Sequence, residues 1–243
     1  NMLVRVKFWN ILMIVALLAG AVFVTPAQPV KAANDLRISQ VYGAGGVTGS
    51  SFTNDFIEIF NAGSTAVDLT GWSVQYASAT GTSWSNKTNL SGTIQPGQYL
   101  LIQEGGGAIG APLPTPDIVG TLSMSATNAK VALVNSTTTL PAVGCPTGIV
   151  DIVSYGDASN DCEGVSTPNL SITLAAIRNS GGCVDTDNNL ADFAITTPNP
   201  RNSSSPINTC AADTAPTLSS TVPTNAATGV ALDANLSLNF SEA

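Results

Sequence analysis

Apolar residues in this chain come in short runs separated by Gly, Asn, Ser, Thr and Pro, the spacing expected of strands joined by turns. The most informative stretch is residues 54–74, NDFIEIFNAGSTAVDLTGWSV. Phe56, Ile57, Ile59 and Phe60 form a β-rich apolar run with one carboxylate, Glu58, inside it. Asn61-Ala62-Gly63-Ser64 is a polar turn, and Asp68-Leu69-Thr70-Gly71-Trp72 leads into a second strand. There Trp72, Val74 and Tyr76 alternate onto one face, with Trp72 as a large core anchor.

The same period predicts further strands on both sides. Residues 35–42, DLRISQVY, place Leu36, Ile38 and, after a pleat shift, Val41 and Tyr42 inside; the glycine-rich 43–51 is a loop. Residues 77–89 are a polar loop around Trp84. Gln95-Pro96-Gly97-Gln98 is a turn, and the continuous run Tyr99-Leu100-Leu101-Ile102 marks a strand buried on both faces. A loop with Pro112, Pro114 and Pro116 follows. Residues 118–124 and 130–134 are expected to form a strand pair, followed by strands over 149–156 and 170–178. Residues 209–217 read as a linker with Pro216. From Leu218 a new alternating pattern runs through Leu236, Leu238 and Phe240.

Several separated motifs carry a family resemblance. They are D-x-I-E-I-x-N (55–61), D-L-x-G-W (68–72), I-x-P-G-Q-Y-L-L-I (94–102) and N-x-x-V-x-L (128–133). V-D-x-V-x-Y-G (150–156), D-T-D-x-N-x-x-D-F (185–193) and P-x-P-x-N-S (198–203) complete the set. Together they resemble the lamin-tail domain over about residues 35–205. The resemblance implies an all-β, immunoglobulin-like β-sandwich. In bacteria it implies a module of secreted multidomain proteins, often beside nucleases or phosphoesterases. The unit from Leu218 resembles the opening of a bacterial Ig-like domain, and so short a piece cannot bury a core of its own, so it reads as truncated. The expected organisation is a signal peptide over 1–32, the sandwich over 35–208, a linker over 209–217 and the Ig-like start over 218–243.

The first 32 residues fit export. Arg5 and Lys7 precede a 14-residue apolar run, Ile11 to Val24, and Val30-Lys31-Ala32 offers small residues for cleavage after Ala32. A membrane anchor is the alternative, but the run falls short of the ~20 residues a spanning helix needs. The expected location is secreted or cell-surface, with no membrane contact after cleavage. Charge is sparse, 10% of residues. Losing Arg5, Lys7 and Lys31 leaves five basic residues against sixteen acidic ones, a net charge of −11. Direct nucleic-acid binding needs clustered Lys and Arg and is not expected. There is no histidine, which excludes Ser-His-Asp triads, Cys-His dyads and histidine metal sites within the chain.

Candidate chemistry lies in five places. Cys145, Cys162, Cys183 and Cys210, even in number and behind an export signal, favour disulfides. Three pairings are possible; the expected one joins sequence neighbours, Cys145–Cys162 and Cys183–Cys210. A zinc site of all four is the alternative, though no two cysteines are closely spaced. Asp185-Thr186-Asp187-Asn188-Asn189, with Asp192, alternates oxygen donors as calcium loops do. Asp185, Asp187, Asn189 and Asp192 are therefore candidate calcium ligands, set against a plain Asx-rich turn, because Asp and Asn also bond their own backbone. Glu58 is either an exposed or edge carboxylate bonded to backbone, or half of an acid–base pair with Asp55 or Asp68. Asp151 is either tied to loop amides at the sandwich end or a ligand contact. Trp84 either packs under its own loop or offers a sugar-stacking face.

The expected function is a non-catalytic binding or scaffolding module of a larger extracellular protein. Its partners would be a protein, surface or polymer, together with downstream domains of the same chain. The alternatives are a cell-surface adhesion protein with no enzyme attached, and a hydrolase using carboxylates and calcium.

Overall fold

A computed structural model describes residues 35–210, 218–224, 226–231 and 235–240. The signal-peptide reading of 1–32 and the linker from 211 to 217 lie outside the described residues. The chain divides into a large unit, which contains residues 35–210, and a smaller one that holds the C-terminal segment.

Twelve strands build the large unit: β1 (Leu36–Tyr42), β2 (Asn54–Asn61), β3 (Val67–Asp68), β4 (Ser73–Ser78), β5 (Asn86–Asn89), β6 (Thr93–Ile94), β7 (Tyr99–Gly106), β8 (Ile118–Val119), β9 (Ala129–Val134), β10 (Asp151–Tyr155), β11 (Ala175–Arg178) and β12 (Phe193–Thr196). One sheet runs β12-β11-β1-β2-β7-β8; the other runs β10-β9-β4-β5; β3 and β6 form a separate small pair. All pairings in the two main sheets are antiparallel except β7 with β8. The smaller unit has the antiparallel pair β13 (Leu218–Val222) and β14 (Ser237–Phe240).

The inner faces follow the period-2 pattern. Ile38, Val41, Ile57, Ile59, Leu100 and Ile102 of one sheet share a core with Val74, Val131, Leu133, Val153 and Tyr155 of the other. The pleat shift expected in β1 is a bulge between Ile38 and Gln40 that returns Val41 to the core. Tyr99–Ile102 is buried on both faces, as its unbroken apolar run requires. Leu101 turns outward to join Tyr42 and Phe56 in a second cluster, and Tyr99 joins Phe60 in another.

Three expectations are corrected. Residues 86–89, read as the end of a polar loop, form β5 against β4. Residues 118–124 do not pair with β9: β8 is a two-residue edge strand parallel to β7, and β9 lies between β4 and β10. Trp72 is only half-buried against the core, whereas Trp84 is the largest fully buried side chain among the described residues. Its indole N–H donates to Val143 O at 2.9 Å, and buried Lys130 lies 5.5 Å from its ring centroid while bonding Gly81 O and Gly144 O. Trp84 thus packs under loops and offers no stacking face.

The chain after β12 matters most for the outer face. Residues 197–210 cross it as a strap. Gln40 and Asn199 exchange hydrogen bonds (2.9 and 2.7 Å), Gln98 bonds Ser203, Asn208 bonds Gly97, and Cys210 is bonded to Cys183.

Candidate metal centre and the carboxylates around it

The Asp-rich loop leaves β11 and returns into β12 through a helical turn, Asn189–Asp192. Asp192 is buried and organises the loop from below. Its oxygens accept from Thr186 N (2.9 Å), Thr186 Oγ1 (2.7 Å) and Asn188 N (3.3 Å). Asn189 is also buried, and its side chain serves as a partner for β10: Ser154 N donates to its oxygen and its amide donates to Ile152 O. These are the bonds a neighbouring strand would make at a sheet edge. Of the four expected calcium ligands, Asn189 and Asp192 are therefore engaged within the fold.

Asp185 and Asp187 have a different neighbour. The loop after β10 approaches through Asn189 N to Glu163 O (3.1 Å) and Leu190 N to Val165 O (2.8 Å). Gly164 permits this contact, since a Cβ there would meet Asn188 Cα at 2.7 Å. Carboxylate oxygens of Glu163, Asp185 and Asp187 consequently lie within 4.8 Å of one another. Glu163 also accepts from the Asn189 amide. Its pKa is pushed up to about 8, first by burial and then by the charge of Asp151, with Asp185 adding to it and Arg178 opposing. Sequence reading missed Glu163. It lies 22 residues before Asp185 in a loop with no strand pattern; only its place next to Cys162 hinted at it.

Behind the trio sits Arg178, 1% exposed. It pairs with Asp151 (2.8 Å), Asp185 (3.0 Å) and Asp192 (3.6 Å), donates to Ile38 O (2.9 Å) and Val184 O (3.1 Å), and stacks 4.5 Å from the Phe193 ring centroid. Burial works against its charge, but the surrounding carboxylates outweigh burial and hold its pKa above the ordinary value. Asp151 accepts from Arg178 and from the Ile38 backbone, a strand amide and not a loop amide as expected; its Oδ1 is buried without a hydrogen-bond partner.

Glu58 is neither exposed nor paired with a second acid. It is fully buried beneath the strap and bound by Arg201 through Nη2 (2.6 Å), Nε (3.2 Å) and the backbone N–H (2.7 Å), with Ser39 Oγ at 2.6 Å. Burial holds its pKa above the ordinary glutamate value, and Arg201 and Ser39 offset part of that. Asp55 binds Gly45 N and Met124 N, while exposed Asp68 binds Thr70 N, so these three acids do not converge. Beside the strap lies a cavity of ≈ 580 Å³ lined by Tyr99, Gly181, Pro200, Arg201, Pro206 and Asn208.

Both expected disulfides are present: Cys145–Cys162 and Cys183–Cys210, with no free cysteine among the described residues. The zinc alternative is thereby removed. Among the described residues no helix is long and apolar enough to cross a membrane.

A two-sheet antiparallel sandwich, stapled by disulfides and free of histidine, defines a module of the immunoglobulin-like class, a fold and bridge chemistry consistent with an extracellular setting. The chain belongs to the lamin tail domain family, whose model matches residues 29–157, just over half of its length. A bacterial Ig-like domain model matches residues 212–243. Among solved structures the chain is similar to the crystal structure of a DUF4876 family protein from Bacteroides thetaiotaomicron. The TM-score is 0.50 at 12% identity, covering 72% of this chain and 75% of that one, a likeness of fold alone. No curated protein matches the chain. The family match ends just past β10, so β11, the Asp-rich loop and the strap lie beyond it.

Proposed function

We propose that this chain is a non-catalytic binding and scaffolding module of a larger secreted protein, set beside a nuclease or phosphoesterase domain of the same polypeptide. The observation that carries the reading is the succession of two Ig-like family matches on one chain. The state of the buried acids supports it further: Glu58 is neutralised by Arg201, Asp151 by Arg178, and Asp55 serves backbone amides. Glu58, Asp55 and Asp68 therefore do not form the acid–base pair that their spacing offered. The test is to incubate residues 33–243 with duplex DNA and a simple phosphodiester, with and without calcium. No turnover is expected, and turnover abolished by a carboxylate substitution overturns the reading. The match to a second Ig-like unit also favours a cell-surface adhesion array. The reading frame beyond Ala243 separates the two, through a catalytic domain or through more Ig-like repeats.

The module is further proposed to take one calcium ion, with the ligand set revised to Glu163, Asp185 and Asp187. Their mutual approach within 4.8 Å supports this, because a hard divalent cation draws several oxygens to one point. Calcium at about 100 times its dissociation constant should raise stability by about 2.7 kcal/mol. Asp187→Asn is a suitable probe, since Asp187 has φ 54° and asparagine tolerates that conformation. Asp187→Asn and Glu163→Gln should each shrink the thermal shift, whereas a shift undiminished in both puts the ion elsewhere.

A further inference from the structure

The segment joining β8 to β9 makes few ladder bonds, yet it closes one end of the sandwich with Leu122 and Met124 in the core. Its amides are received in an unusual way. Gly120 N donates to Gln103 O (2.7 Å), Leu122 N to Glu104 Oε2 (2.9 Å), Met124 N to Asp55 Oδ2 (2.8 Å) and Ser125 N to the Tyr76 hydroxyl (3.1 Å). Two of four amides thus rest on buried carboxylates where a strand would supply carbonyls.

Those carboxylates lack counter-charges. Glu104 is 1% exposed and Asp55 4%. Glu104 Oε2 also accepts from Thr88 Oγ1 (2.9 Å), but Glu104 Oε1 is buried with no partner at all. None of the ion pairs among the described residues includes either acid. The titratable groups around them are further acids: Tyr76 from β4 and Tyr155 from β10, both held above the ordinary tyrosine value chiefly by burial and so neutral here. β5 contributes only the Thr88 hydroxyl. Gly120 closes the site, since a Cβ there would meet Glu104 Oε2 and Thr88 Oγ1, each at 2.2 Å.

We propose that Gly120–Ser125 is a pH-sensitive latch, closed over Glu104 and Asp55 in mildly acidic medium and loosened as both acids ionise in the dry end of the sandwich. Burial pushes Glu104 up to about 7, with Asp55 adding to it and the bonds from Thr88 and Leu122 opposing. Burial pushes Asp55 up to about 6, against its two amide bonds. Both folded values lie above the unfolded ones. The stabilisation is therefore complete below the ordinary carboxylate range and is lost as pH rises through about 6 and then about 7. Ionised carboxylates are the better amide acceptors, which favours closure, but burying an unpaired charge costs more than that gain.

Amide hydrogen exchange on residues 33–243, corrected for intrinsic rates, tests this between pH 5 and pH 8. Protection at Leu122 and Met124 should fall on the order of 100-fold, while Ile59 and Ile102, inside β2 and β7, change far less. Glu104→Gln keeps shape without charge and should flatten most of the fall. If Glu104→Gln does not fold, Asp55→Asn serves instead, read at Leu122 because Met124 N loses or shares its acceptor there: removing the like charge that raises Glu104 must shrink the Leu122 fall. A wild-type profile that is flat, a fall shared equally by Ile59 and Ile102, or a fall unchanged in the variant that folds each overturns the latch.

Discussion

Arg178 shows how one residue sets the character of a site. In sequence it is the last residue of a strand-like run, and nothing in that run marks it as more than a strand end. In the fold it is a buried cation on which Asp151, Asp185 and Asp192 converge from three loops and strands. Burying so many charges together is expensive and succeeds only because each has partners. Arg178→Met should therefore cost about 3–5 kcal/mol in urea unfolding, because Asp151 and Asp192 are left buried and uncompensated. Arg37 offers the comparison: it also pairs with Asp185 (3.1 Å), but its side chain is 14% exposed. Arg37 also holds Asp35 (2.7 Å) and Cys183 O (2.6 Å), but its acid partners are 22% and 23% exposed and stay hydrated without it, so Arg37→Met should cost less, about 1–2 kcal/mol. Equal costs for the two would mean that the acids behind Arg178 are hydrated.

At the scale of elements, legibility followed the source of each element's hydrogen bonds. β1, β2, β4, β7, β9 and β10 take their bonds from neighbouring strands and their burial from alternation, and both leave period-2 traces in sequence. Residues 118–124 read as a strand, but beyond β8 the amides of Leu122 and Met124 are received by Glu104 and Asp55, a choice no local pattern announces. The strap is the other blind spot. Its motif was visible in Pro198–Ser203, and its role was not: it turns the outer face of β2 into an interior, so Glu58, which reads as an edge acid, becomes the buried partner of Arg201. The Asp-rich loop was half legible. The oxygen spacing pointed to Asp185 and Asp187, but Asn189 and Asp192 carry a β10 edge and a loop turn, and Glu163 arrives from a separate loop. Residues that meet only through tertiary contact leave no periodic trace.

At the scale of the molecule, the two disulfides and the core divide the stabilisation unequally. The bridges close loops of 17 and 27 residues. Chain-entropy reasoning assigns them about 3 and about 3.5 kcal/mol, acting on the unfolded state. Against a typical total of about 5–15 kcal/mol these are large shares. Yet the sandwich has a continuous two-sheet core, unlike small secreted scaffolds that depend on their bridges. Full reduction should therefore add four hydrogens by intact mass, lower the urea midpoint and leave a folded protein with a cooperative transition. Opening Cys183–Cys210 alone, through paired serine substitutions, should cost about 2–5 kcal/mol and expose the strap first, because Arg201, Asn199 and Ser203 would then hold it without covalent help. Protease nicking confined to 197–210 in that variant is the expected mark. If reduction instead unfolds the whole unit at room temperature, the bridges and not the core carry this fold.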